Sequence, residues 1–158
     1  MLHDNMKTMG RLVMVLVAVL SFSSCELEHS ENGKLDGFWH LESIDTLATG
    51  NTADLSKLHV FWGIEHKLIS VRETDKGVGS FYFRFEQTSD SLKITKVYSN
   101  HGHQDSGEDG GDIPVEEVTD GLRYYGVNAI PEGYQKEALS GSKMILKSKT
   151  LRLNFRKF

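Results

Sequence analysis

A single cysteine, Cys25, occurs in 158 residues, so no disulfide can form within the chain. Only two prolines interrupt it, against fifteen glycines, a balance that suits strands joined by turns. Basic clusters are missing as well. The 18 Lys+Arg and 22 Asp+Glu give a net charge of −4, and a mildly acidic chain without a basic stripe is unsuited to binding nucleic acid. No apolar run reaches the roughly twenty residues a membrane-spanning helix needs. Standard catalytic motifs are absent too: Gly-x-Ser-x-Gly, His-Glu-x-x-His, a Walker loop and Gly-x-Gly-x-x-Gly. Gly77-Val78-Gly79 sits in a turn with no helix behind it to bind phosphate.

What is present begins with an export pattern. Lys7 and Arg11 precede Leu12 to Phe22, which is apolar apart from the small residues Ala18 and Ser21. Eleven residues match the core of a cleaved secretory signal rather than a membrane span. We therefore divide the chain into a signal peptide over residues 1–24, an acidic tether over 25–34 and one folded domain over 35–158. Removing the signal leaves 134 residues carrying 16 basic and 21 acidic side chains, enough chain for one core.

The domain reads as strands. Leu35 to Asp45 alternates Trp39 and Leu41 against His40 and Glu42. Leu58 to Glu73 is too long for one strand, and Gly63 is expected to mark a bulge or bend between its halves. Ser80 to Thr88 is the clearest case, with Phe81, Phe83 and Phe85 on one face and Tyr82, Arg84 and Glu86 on the other. Leu92 to Tyr98 returns as its hairpin partner. Val115, Val118, Leu122 and Tyr125 recur at helical spacing, so a short helix is expected over 116–125. Tyr134 to Leu139, Lys143 to Lys147 and Thr150 to Phe158 complete the series. These features predict a mainly β fold, an antiparallel up-and-down meander closing into a barrel with one short helix. A two-sheet sandwich has the same periodicity.

Candidate sites are few. His101, His103, Asp105 and Asp109 lie in a Gly/Asp-rich loop over 100–112, where His-x-His plus a carboxylate could ligate a metal. As a calcium loop counted from Asp105 the stretch fails at its third position, which is Gly107. The bland reading, a solvated loop, is the one we adopt, and we expect no metal and no cofactor. His40, His59 and His66 are expected at the surface. Trp62, Phe81, Phe83 and Phe85 are expected to point inward, either filling the barrel or lining a pocket for a small apolar ligand. Ser70 is the one polar side chain expected on that inner face.

Two resemblances sharpen this reading. Phe22-Ser23-Ser24-Cys25 resembles the processing site of bacterial lipoproteins, which implies that Cys25 is acylated and becomes the mature N-terminus. That in turn implies a lipid-anchored protein of the cell envelope, at the outer membrane, with the membrane as a partner. Gly37-Phe38-Trp39 and the closing Leu-Arg-Leu-Asn-Phe-Arg-Lys-Phe resemble the lipocalin-like domain of small Bacteroidetes-type lipoproteins. The resemblance implies that Gly37 and Trp39 pack the closed end of a barrel, beneath an arginine of the last strand, Arg152 or Arg156. It implies a non-enzymatic binder of a small apolar ligand or peptide. The alternative is an adaptor whose barrel is filled by its own side chains and whose outer face docks on an envelope partner. A hydrolase or metal protein built on the His101/His103 loop ranks third, for want of a base–nucleophile pair.

Overall fold

The structure, a computed structural model, describes residues 30–101 and 112–158. Its strands are β1 (Gly37–Thr46), β2 (Thr52–Asp54), β3 (Val60–Glu65), β4 (Leu68–Glu73) and β5 (Phe81–Gln87), then β6 (Ser91–Ser99), β7 (Ile113–Val115), β8 (Glu132–Leu139), β9 (Lys143–Lys147) and β10 (Leu151–Lys157). Among the described residues one helix, α1 (Asp120–Tyr124), lies between β7 and β8, and a 3-10 turn over Gly33–Leu35 precedes β1.

Eight of the strands run in the spatial order β1-β3-β4-β5-β6-β8-β9-β10, every neighbour antiparallel, and β10 pairs back onto β1. That last pairing runs from Trp39 opposite Lys157 to Thr46 opposite Leu151. It closes the barrel, removes both sheet edges and rules out the sandwich. β2 and β7 are short additions beside β1 and β6.

Period-two patterning sets which side is inside. On β5, Phe81, Phe83 and Phe85 are buried and Arg84 and Glu86 face out; on β10, Leu151, Leu153 and Phe155 are buried. Three bulges bend the sheet. Glu42 has no partner between the Leu41–Phe155 and Ser43–Asn154 pairs, and Thr95 is skipped between Lys96 and Ile94 opposite β5. Glu137 is skipped between Lys136 and Ala138. An extra residue moves the following side chains to the other face. This is why Leu41 and Ile44 are both buried although three apart, and likewise Ile94 and Val97.

Gly63 lies within β3, opposite Ser70, and does not bend the chain. The break falls instead at the two-residue hairpin His66-Lys67, with His66 in the left-handed region at φ 51°. The N-terminal segment secures that hairpin: His66 N donates to Ser30 Oγ at 2.9 Å, and Asn32 Nδ2 donates to the His66 carbonyl. The chain is thus already held to the barrel at Ser30.

The barrel's two ends differ. At one, the 3-10 turn lays Leu35 beneath Trp39, whose indole N–H donates to the Leu35 carbonyl at 2.8 Å. This is the closed end. At the other, α1 and the residues after it cover the barrel. Thr119 caps the helix by accepting from Leu122 N, and Gly126 at φ 85° ends it. A β-carbon at Gly126 would overlap the Leu153 side chain, so only glycine lets this segment seat so deeply. The helix covers five residues rather than the expected ten, and Leu122, Tyr125 and Val127 are its buried contributions.

Candidate functional site

At the closed end Trp39 is fully buried, as the sequence implies, but the cation over its ring is Lys157. Arg156 and Arg152 point outward instead, pairing with Glu42 at 2.7 Å and Glu137 at 2.6 Å. Strand parity explains the correction. Leu151, Leu153 and Phe155 face inward, so the next inward position is Lys157, while Arg152 and Arg156 share the outer face. Lys157 Nζ lies 4.9 Å from the Trp39 ring centre and also donates to the Asp36 carbonyl. Its side chain passes over Gly37, where a β-carbon would collide with it.

The lumen is built around Trp62. Its ring meets Phe155 at 5.2 Å, Phe83 at 5.8 Å and Tyr134 at 6.2 Å, all edge-on. Phe81, Phe83 and Phe85 are all buried in the same core, so the structure brings the four expected lining residues together. Toward the α1 end, Phe81 meets Tyr125 edge-on at 6.0 Å, and Tyr125 meets Tyr124 at 5.6 Å. Ser70 is not with them: its hydroxyl donates to the Gly63 carbonyl on the outer wall beside Phe38. Two open grooves, of about 760 and 920 Å3, also lie on that outer wall around His66, Lys67 and Arg84. Of the four expected lining residues only Phe85 borders one of them, the smaller; Trp62, Phe81 and Phe83 line neither.

Polar groups in this core fall into two sets. Some are partnered. Tyr134 donates its hydroxyl to the Gly126 carbonyl at 2.8 Å, and Glu132 accepts from Asn128 N at 2.9 Å, so both hold the segment after α1. The buried Glu73 carboxylate accepts from the backbone N–H groups of Asp75, Lys76 and Val78 and folds the following turn. Others have no partner among the described residues. Trp62 Nε1 and the hydroxyls of Tyr124 and Tyr125 are buried and make no hydrogen bond with the described residues. Burial, then the Glu73 carboxylate, pushes the Tyr125 hydroxyl well above the ordinary phenol range, and burial raises Tyr124 likewise. Both phenols therefore stay protonated as donors at physiological pH. Period two made Trp62 legible, and helical spacing marked Tyr125 as apolar. Nothing in the sequence signalled that their polar atoms would be left over.

The histidines divide. His59 and His66 are exposed as expected, His59 pairing with Asp75 at 2.8 Å. His40 is 5% exposed, its Nε2 2.7 Å from the Leu58 carbonyl and its ring against Phe61. The sequence placed it outside, and it does face away from the lumen. A second aromatic layer covers it there. Phe38 stacks on Phe61 at 4.6 Å, and Phe158 closes on both rings edge-on.

His101 is exposed, its backbone N–H donating to Asp112. His103, Asp105 and Asp109 lie outside the described residues, as does Cys25. Among the described residues no three His, Cys, Asp or Glu side chains converge as a metal set.

A closed eight-stranded antiparallel barrel with one short helix and a tryptophan-sealed end agrees with comparisons to known proteins. The profile of the lipocalin-like domain family matches residues 19–158. A crystal structure of a lipocalin-like protein from Bacteroides uniformis superposes with a TM-score of 0.56 at 20% identity, covering 80% of this chain and 100% of the other. An uncharacterized protein from Bacteroides eggerthii gives a TM-score of 0.56 at 19% identity, with coverages of 78% and 98%. No curated protein sequence matches the chain. At these identities the structural likeness speaks for the fold, and the profile for the family. Such families are generally non-enzymatic. The chain belongs to the lipocalin-like domain family.

Proposed function

We propose that this is a lipid-anchored protein of the bacterial outer membrane, acylated on Cys25, that binds a small, largely apolar ligand inside its barrel and catalyses no reaction. One observation carries the binding reading: Trp62 Nε1, Tyr124 OH and Tyr125 OH are buried donors with no acceptor among the described residues. Each such group left unsatisfied costs about 1–3 kcal/mol. A ligand offering acceptor oxygens among these rings would remove that cost. The raised Tyr125 hydroxyl marks surroundings hostile to negative charge, because burial and the Glu73 carboxylate both oppose an anion. An anionic ligand is therefore disfavoured, and a ketone, ester or ether on an apolar frame supplies the acceptor without the negative charge.

Tyr125 occupies the α1 end of the lumen, so the ligand reaches Trp62 only when the segment from α1 to Val127 swings away. Two hydrogen bonds resist that motion, Tyr134 to Gly126 and Asn128 to Glu132. A second reading has its own observation. Trp62 meets rings on three sides, as in a barrel that is simply full and serves as an adaptor. Titration with a neutral solvatochromic dye separates the two. We expect saturable binding by the wild type and stronger binding by Phe83→Ala. If neither protein binds dye or neutral lipid above background, the adaptor reading replaces the binder. For the anchor, a clickable fatty acid should label the wild type and leave Cys25→Ala unlabelled; equal labelling contradicts it.

A further inference from the structure

We infer that the closed end of the barrel rests on the phospholipid surface with the Phe158 ring in the interface, leaving the α1 end facing away from the membrane. This orientation rests on the Cys25 anchor proposed above. Two features of the molecule carry it.

The first is reach. Ser30 is held to the closed end: its hydroxyl donates to Asp36 at 2.7 Å and accepts from His66 N. Asn32 Nδ2 also donates to Asp36, and Gln87 donates to Asn32. Five residue steps separate Cys25 from Ser30, a span of at most about 18 Å when fully extended. The closed end is therefore kept within that distance of an acylated Cys25. The α1 end lies a further strand length off, roughly 20 Å for a six-residue strand.

The second is Phe158. Its side chain is 78% exposed, against 40% for Leu47 and 47% for Ile113, the other large exposed apolar residues among those described. Those two lie toward the α1 end, Leu47 bonded to Thr150 and Ile113 opposite Ser99. Phe158 instead lies beside the closed end, fixed by its N–H donating to the Phe38 carbonyl. Its ring is the outermost of a continuous Phe38–Phe61–Phe158 cluster, so it stands on a rigid base.

Charge at this end identifies the kind of surface. Exposed Lys34, Lys67 and Lys143 stand against exposed Glu31, Glu65 and Asp90, and Arg84 against Glu86. The signs nearly cancel. Contact then comes from ring burial rather than attraction to anionic lipid, and a zwitterionic phospholipid interface is the fitting occupant.

The test places the acylated full-length chain in phosphatidylcholine vesicles and compares Phe158→Trp with Leu47→Trp, subtracting the buried Trp39 and Trp62 emission of the wild type. Brominated lipid should quench the added emission of Phe158→Trp about twofold or more and leave Leu47→Trp unchanged. Quenching of Leu47→Trp alone would reverse the orientation and overturn the inference. An unquenched Phe158→Trp on vesicles that retain the protein would overturn it while the anchor stands. A blue shift without quenching would show that a protein surface, not lipid, covers the ring. Protein lost from the vesicles would overturn anchor and orientation together, leaving the lumen reading untouched.

Discussion

Lys157 Nζ stands 4.9 Å above the Trp39 ring and donates to the Asp36 carbonyl, tying the last strand to the first where the barrel closes. Trp39 supplies most of the energy of that closure and Lys157 its alignment. Trp39→Ala should cost about 3–5 kcal/mol, as expected for truncating a buried aromatic. Lys157→Met should cost about 0.5–2 kcal/mol, the range of a cation over an indole. Arg156→Ala breaks only an exposed pair with Glu42 and should cost no more than about 1 kcal/mol. Urea unfolding of the three variants checks the order. An Arg156→Ala protein less stable than Lys157→Met would contradict it.

Two tyrosines at the α1 end should respond oppositely to losing their hydroxyls. Tyr134→Phe removes a buried bond to the Gly126 carbonyl and should destabilise the protein by about 0.5–1.5 kcal/mol. Tyr125→Phe removes a buried hydroxyl with no partner among the described residues, so the ligand-free protein should be as stable as the wild type or more so. The same change should weaken ligand binding, because it deletes a donor. Thermal unfolding of both variants decides this. A Tyr125→Phe protein less stable than Tyr134→Phe would mean that the hydroxyl is already satisfied.

High pH should unfold the protein through these residues. Burial, then Glu132, raises Tyr134 well above the ordinary 10.0, and burial raises Tyr125 and Tyr124 too. Unfolded phenols ionise first, so above pH 10 the unfolded chain holds fewer protons than the folded one and stability falls as pH rises. Below pH 10 this contribution is fully present. The unfolding temperature should therefore drop as pH climbs above 10, and less steeply in the Tyr125→Phe/Tyr134→Phe double variant. An equal drop in wild type and variant would assign the alkaline loss elsewhere.

Much of the fold was legible because a barrel strand shows its parity in its own residues. The Phe81-Phe83-Phe85 row reads correctly, and the last strand carries a second such row, Leu151-Leu153-Phe155. Carrying the second row one step further would have placed Lys157, rather than Arg156, over Trp39. Other features depend on contacts far away in sequence. Gly63 resembles a bend locally, but Phe38 and Ser70 pack over it and keep it in a strand. The turn forms at His66 because Ser30 and Asn32 bond to it. His40 alternates like a surface residue, and it is covered only because Phe61 and the chain at Leu58 fold over the outer wall. The candidate site was half legible. Apolar lining follows from patterning, whereas unpartnered donors appear only when three-dimensional bonding is traced.

Native mass spectrometry of the full chain purified from its own host tests the binding reading most directly. We predict a retained, neutral small molecule at one per chain, released on unfolding and depleted in Tyr125→Phe. A wild-type protein that carries only its own covalent mass, and takes up no neutral apolar probe when one is added, would contradict it.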